Sequence, residues 1–81
     1  MANAPEIFRK GVRYRVKKSF MSGASTFIGG EILVFDLDGY SFYDESYGYQ
    51  FHGQGNGEIK TWMLDENRSV DSWKQYFEEV P

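Results

Sequence analysis

Gly29-Gly30-Glu31-Ile32-Leu33-Val34-Phe35 sets the architecture expected of this chain. The glycine pair permits a sharp turn with φ > 0, and the residues after it are apolar at consecutive positions. A strand with one wet face alternates, whereas one that is apolar on both parities is covered on both faces. Some other element must therefore lie over its second face. Upstream, Val12, Tyr14 and Val16 alternate with Arg13, Arg15 and Lys17, the period of a half-buried strand with a cationic outer side. Lys18 falls on the apolar parity, so that strand ends or bends there.

Working outward, Met21 to Thr26 reads as a loop of mostly small residues whose ends are pinned to the core by Phe20 and Phe27. Asp36-Leu37-Asp38-Gly39 reads as a turn. The aromatic stretch after it is partly loop, with strand expected only from Tyr49 to His52. Gly53-Gln54-Gly55-Asn56-Gly57 is a tight hairpin loop, and Glu58 to Leu64 is the returning strand. Its two parities are nearly balanced, with Trp62 and Leu64 favoured as the inward set. The last segment changes to helical spacing: Val70, Trp73 and Phe77 fall at i, i+3 and i+7. A helix is expected over about 69–79, with Ser69 as N-cap and Asp71 in the first turn to suit the dipole. A helix of ~10 residues is marginal alone in water, so its apolar face must dock. It is the natural cover for the strand at 31–35, and Trp73→Ala should then cost ~3–5 kcal/mol.

Eighty-one residues make one domain, expected over residues 8–81 behind a flexible tail at 1–7. Fifteen residues are aromatic (2 Trp, 6 Tyr, 7 Phe), and each ring can remove roughly 150–250 Å² from water. There is no cysteine, which excludes disulfides, thiolate metal sites and a cysteine nucleophile. The first residues lack the basic start and apolar run of a secretory signal, and no segment approaches the ~20 apolar residues of a membrane helix. A cytoplasmic protein that does not engage membranes is expected. The net charge of −3 is unevenly laid out: residues 1–20 carry six cations against one acid, and residues 21–81 carry three against eleven. Compensation between a basic strand and its acidic surroundings accounts for this most simply; a sign-split docking surface is the alternative.

The basic alternating strand, the long first loop, Gly30-Glu31-Ile32-Leu33-Val34-Phe35, Tyr43-Asp44, the glycine-rich hairpin, Trp62-Met63-Leu64 and the terminal Trp73-Lys74-Gln75-Tyr76-Phe77 together resemble an SH3-like barrel. The pattern, over roughly residues 8–79, is similar to a family of small, uncharacterised bacterial domains with that fold. The resemblance implies a mainly β protein, a small SH3-like β-barrel of about five strands with one C-terminal α-helix packed against it. The family carries no established activity, so the resemblance transfers a fold and nothing more. Proline-peptide binding is not carried over, because the Ala-Leu-Tyr-Asp-Tyr signature and the paired tryptophans of eukaryotic SH3 domains are absent.

Nothing in the sequence specifies catalysis. His52, the only histidine, has no orienting partners in any recognisable spacing and reads as a surface residue near a strand end. Asp36-Leu37-Asp38-Gly39 has a calcium-loop flavour, but Tyr40 and Ser41 stand where such a loop needs an oxygen ligand and glycine. Gly53-x-Gly55-x-Gly57 is not followed by the helix of a dinucleotide fingerprint. Asp44-Glu45, Asp65-Glu66 and Glu78-Glu79 are adjacent acids and do not form an acid–base dyad. No enzyme, metal or cofactor is expected.

Two binding surfaces remain. Tyr40, Phe42, Tyr43, Tyr47 and Tyr49 either pack the core or form a groove for a peptide or small ligand, a role that suits tyrosine because it joins a large apolar face to a hydroxyl. Arg13, Arg15 and Lys17, supported by Lys18 and Arg9, form a basic patch that fits an acidic protein or, through cations and stacking rings, nucleic acid. The pI near 5.0 disfavours nucleic acid. The expected function is a non-enzymatic protein-interaction or accessory module with an unidentified protein or peptide partner, monomeric or weakly dimeric; the alternative is a weak nucleic-acid-binding barrel.

Overall fold

The computed structural model describes residues 5–41, 46–53, 57–65 and 67–81. Among them are seven strands, β1 (Arg13–Val16), β2 (Phe20–Ser22), β3 (Ser25–Phe27), β4 (Ile32–Ser41), β5 (Ser46–Gly53), β6 (Ile59–Asp65) and β7 (Phe77–Val80), and a 3₁₀ helix over Val70–Gln75. Five strands form one antiparallel sheet in the order β6-β5-β4-β1-β7, and β2 and β3 form a separate two-stranded sheet. The protein is mainly β, as expected, but the barrel is not closed. No ladder joins β6 to β7 among the described residues.

The β2–β3 hairpin takes the place of part of that closure. Met21–Thr26, expected as a loop, pairs in register from Phe20↔Phe27 to Ser22↔Ser25, with Gly23 at φ +58° in the turn. Phe20 and Phe27 stack at 4.7 Å, and Phe27 is fully buried. The hairpin meets β6 through side chains: Thr61 N donates to Ser25 Oγ at 3.0 Å, and Met63 N donates to Ser22 Oγ at 2.8 Å. Two edge N–H groups are thus satisfied by serine hydroxyls instead of a neighbouring strand.

The C-terminal α-helix expected over about 69–79 is replaced by six residues of 3₁₀ helix and then strand β7. Ser69 does cap, accepting from Asp71 N. The spacing of Val70, Trp73 and Phe77 was open to a second reading, because Phe77-Glu78-Glu79-Val80 also alternates. β7 pairs with the whole of β1, from Val16↔Phe77 to Arg13↔Val80, and those ladder bonds outweigh the weak drive of a short helix. Phe77 is buried, whereas Val70 is 45% exposed. Trp73 packs toward Phe8 and Tyr14, on the inner side of the sheet, so it does not cover the second face of β4. Ile32 and Val34 stay half-buried there.

Two further expectations are corrected in the β4–β5 pair. Asp36-Leu37-Asp38-Gly39 is not a turn: β4 continues through it, and the register shift between Phe35 and Leu37 absorbs Asp36 as an extra residue. β5 correspondingly begins at Ser46 and not at Tyr49. In β6 the favoured parity holds, with Trp62 and Leu64 buried. Gly30 has φ +94°, as the glycine pair requires.

Phe8 is the centre of the core. Seven described rings surround it at centroid distances of 4.9–5.9 Å: Tyr14, Phe35, Tyr49, Phe51, Trp62, Trp73 and Phe77. All but Phe35 meet it edge-on, the arrangement that ring quadrupoles favour. The chain before β1 therefore acts as a strap that carries this ring inward. Pro5 O accepts from Tyr49 Oη at 2.8 Å, and Arg9 N donates to Tyr14 Oη at 2.9 Å. Phe8→Ala is expected to lower the unfolding free energy by about 3–5 kcal/mol with an unchanged m-value. Urea titration followed by the fluorescence of Trp62 and Trp73 measures this, and a loss below about 1 kcal/mol would mean that the core does not depend on Phe8.

Candidate functional site

The basic strand is largely engaged in its own sheet. Arg15 Nη1 lies 4.0 Å from Glu78 Oε1, directly across the β1–β7 ladder. Arg9 is ion-paired with Glu79, Arg13 Nη2 donates to Pro81 O at 2.7 Å, and Lys17 Nζ donates to Lys74 O at 3.0 Å. Lys18 Nζ sits 5.1 Å from the Tyr76 ring centroid. These are exposed contacts, each worth little in stability. Together they bring the cations of residues 9–17 against the acids and carbonyls of the C-terminal strand. Glu78 and Glu79, which fall at the end of the expected helix, are the acidic complement of the basic strand.

The aromatic stretch divides. Tyr49 is fully buried and belongs to the core, so it positions its neighbours and offers no contact surface. Tyr47 is half-buried against the core and pairs across strands with Tyr40 on one side and Leu64 on the other. The Tyr40 side chain, Phe42 and Tyr43 lie outside the described residues, as do Asp44-Glu45, Glu66 and the centre of the 53–57 hairpin loop. Burial pushes the Tyr49 phenol above its ordinary range; the Asp38 carboxylate and then Tyr47 add to the shift.

His52 is half-buried on the outer face of the sheet, between Val34 of β4 and Ile59 of β6. No cluster of three or more His, Asp or Glu with metal-binding geometry occurs among the described residues. None of the described helices is long and apolar enough to cross a membrane. The outer face also presents Leu37, which is 53% exposed, and Ile59, which is 60% exposed.

Two concavities are lined by described residues. One, about 550 Å³, lies where the β2–β3 hairpin meets β5 and β6 and is lined by Ser22, Ser25, Ser46, Thr61 and Met63. The other, about 660 Å³, separates the N-terminal strap, Glu6–Lys10, from Phe35–Asp38 of β4.

Sequence reasoning missed one charged pair inside the fold. Lys60, only 6% exposed, donates to both carboxylate oxygens of Glu31 at 2.7 and 3.0 Å. Glu31 Oε2 also accepts from Ile28 N at 2.6 Å. The signal was present: Lys60 shares the inward parity of Trp62 and Leu64.

Loss of either partner is expected to be unequal. Glu31→Ala strands a buried ammonium and should cost about 3 kcal/mol; Lys60→Met leaves Glu31 its backbone bond and should cost clearly less. Chemical denaturation of the two variants decides this, and losses below about 1 kcal/mol in both would mean that the pair is merely a surface contact. The Tyr49 phenol gives a pH signature. Its folded pKa is raised, so the unfolded chain loses that proton first, and stability is fully present below pH ~10 and falls above it, by up to ~1.4 kcal/mol per unit. Tyr49→Phe should flatten that segment of the stability–pH curve, and an unchanged slope would refute the assignment.

The architecture is similar to that of an integron cassette protein from the mobile metagenome of Vibrio cholerae, with a TM-score of 0.71 at 19% identity over 91% of this chain and 87% of that one. At that identity the likeness is one of fold. No protein-family model matches the chain, and no curated protein matches it.

Proposed function

We propose that this chain is a non-enzymatic interaction or accessory module that docks a protein or peptide through the arm formed by β4 and β5, the end of the sheet that carries the aromatic stretch 40–49. The observation behind this reading is the exposure of Leu37, 53%, on a strand that runs past its neighbour: β1 pairs with β4 only from Ile32 to Val34. An isolated exposed leucine needs no explanation. This one shares the outer face with Ile32, Val34 and Ile59, with Gln50 and His52 of β5 between β4 and β6. The SH3-like resemblance, a bacterial host and residence in the cytoplasm form part of the same proposal. The nucleic-acid alternative has less support, because Arg13, Arg15 and Lys17 already contact the C-terminal segment.

A tagged pull-down from bacterial lysate, with and without nuclease, tests the proposal. Capture of a protein that survives nuclease and weakens at least about tenfold with Leu37→Asp is expected, since burying a leucine contributes roughly 1.5–3 kcal/mol. Capture that vanishes with nuclease, and binding that falls steeply with added salt, would favour nucleic acid and overturn the reading.

A further inference from the structure

The β1 ladder stops for an identifiable reason. Gly11, at φ +81°, closes a turn in which Val12 N donates to Arg9 O at 3.1 Å, and the strap leaves the sheet there to carry Phe8 inward. The last bonds across to β4 are Phe35 N to Val12 O at 3.1 Å and Gly11 N to Phe35 O at 3.0 Å. From Asp36 onward β4 is paired with β5 alone among the described residues. The groove of about 660 Å³ occupies the place that a continued β1 would fill.

The charge of this edge is also specific. Asp36 and Asp38 flank the exposed Leu37, and neither carboxylate is ion-paired among the described residues. On the strap side Arg9 is already held by Glu79, and Lys10 and Glu6 also line the groove, Lys10 without an ion pair to either aspartate. A second copy of the chain would bring its own Asp36 and Asp38 to the same short edge, like charge against like, the arrangement that blocks self-pairing of strands.

Resting on the interaction-module reading, we propose that the Asp36–Gly39 edge of β4 accepts one added strand, an extended peptide with lysine or arginine at alternate positions. Main-chain bonds to the open edge supply affinity, as in other strand additions. Its cations meet Asp36 and Asp38, and its apolar side chains lie beside Leu37.

The probe is a blocked heptapeptide of alternating lysine and valine, followed by amide hydrogen exchange and chemical shifts of the intact protein. Saturable binding should add protection to amides within residues 36–40. Methylating every second backbone nitrogen of the peptide, tried in both phases, should abolish binding in the phase that faces β4. Asp36→Asn/Asp38→Asn should weaken binding about fivefold. Asp36→Lys/Asp38→Lys should shift preference to the glutamate-for-lysine peptide. Full binding by both methylated peptides would reduce the contact to bulk electrostatics and overturn strand addition. Absence of binding, protection elsewhere, or protection that grows with protein concentration alone would overturn it too. A lysate partner indifferent to both Asp variants yet lost with Leu37→Asp would sink this proposal while leaving the interaction module standing.

Discussion

Phe8 must reach the middle of an open sheet, and much of the molecule follows from that requirement. An 81-residue chain has little surface to bury, and a sheet without closure leaves one end of its core uncovered. A phenylalanine carried in by the N-terminal strap fills that end and touches rings from β1, β4, β5, β6 and β7. Moving backbone across an apolar interior leaves its polar groups in need of partners. Two core tyrosines supply them at the strap, Tyr49 donating to Pro5 O and Tyr14 accepting from Arg9 N. Their hydroxyls explain why the core uses tyrosine at two positions where phenylalanine would pack as well. The inward turn at Gly11 has a second consequence, since it removes the strand that would otherwise have covered the far half of β4.

The sheet's edges are managed in different ways. β6 is covered by the hairpin through Ser22 and Ser25, whose oxygens accept from β6 while each hydroxyl keeps its proton to donate. β7 is only four residues long, carries Glu78 and Glu79, and is followed by Pro81; shortness, charge and proline all oppose pairing with another chain. The distal part of β4 has a bulge and two aspartates, which discourage a copy of itself without closing the edge to a strand of opposite charge. A protection device against one class of partner is thus selective for another.

Much of this was legible in the sequence where a single pattern had a single reading. The alternation of Val12, Tyr14 and Val16, the turn at Gly30, the Ser69 cap and the inward parity of Trp62 and Leu64 all follow from local periodicity. The errors arose where long-range pairing chose between two local readings. Trp73 and Phe77 suit one face of a helix, yet Phe77-Glu78-Glu79-Val80 equally suits a strand, and only the vacancy beside β1 decides between them. Asp36-Leu37-Asp38-Gly39 has turn composition, but a bulge accommodates the same residues without reversing the chain. Phe8 had no periodic context at all, because a strap contributes one ring without forming an element. Of the candidate site, the aromatic composition of the arm was visible; the open edge beside it was not, since it depends on where β1 stops.

The charge asymmetry is best understood through the same pairing. A run of cations near one terminus invites a reading as a nucleic-acid patch, and eleven acids in the remainder invite a reading as simple solvation. In the fold, Arg9, Arg13, Arg15 and Lys17 face the C-terminal segment, so opposite signs at the two ends of the sequence fall on adjoining strands. Each exposed contact contributes little to stability, but opposite charges across a ladder favour the correct neighbour and like charges disfavour a wrong one. Register and partner choice, not energy, are what these ion pairs supply. The buried Lys60–Glu31 pair follows a stricter version of that logic: an ammonium among core rings is costly unless its carboxylate is in place, which ties the Gly30 turn to β6 and leaves little latitude in how β4 begins. The strand is thus fixed at its start by a buried pair and left open at its far end, where Asp36 and Asp38 make no ion pair among the described residues. Among the described residues, the far end of β4 thus combines an unpaired backbone edge with two carboxylates that make no ion pair.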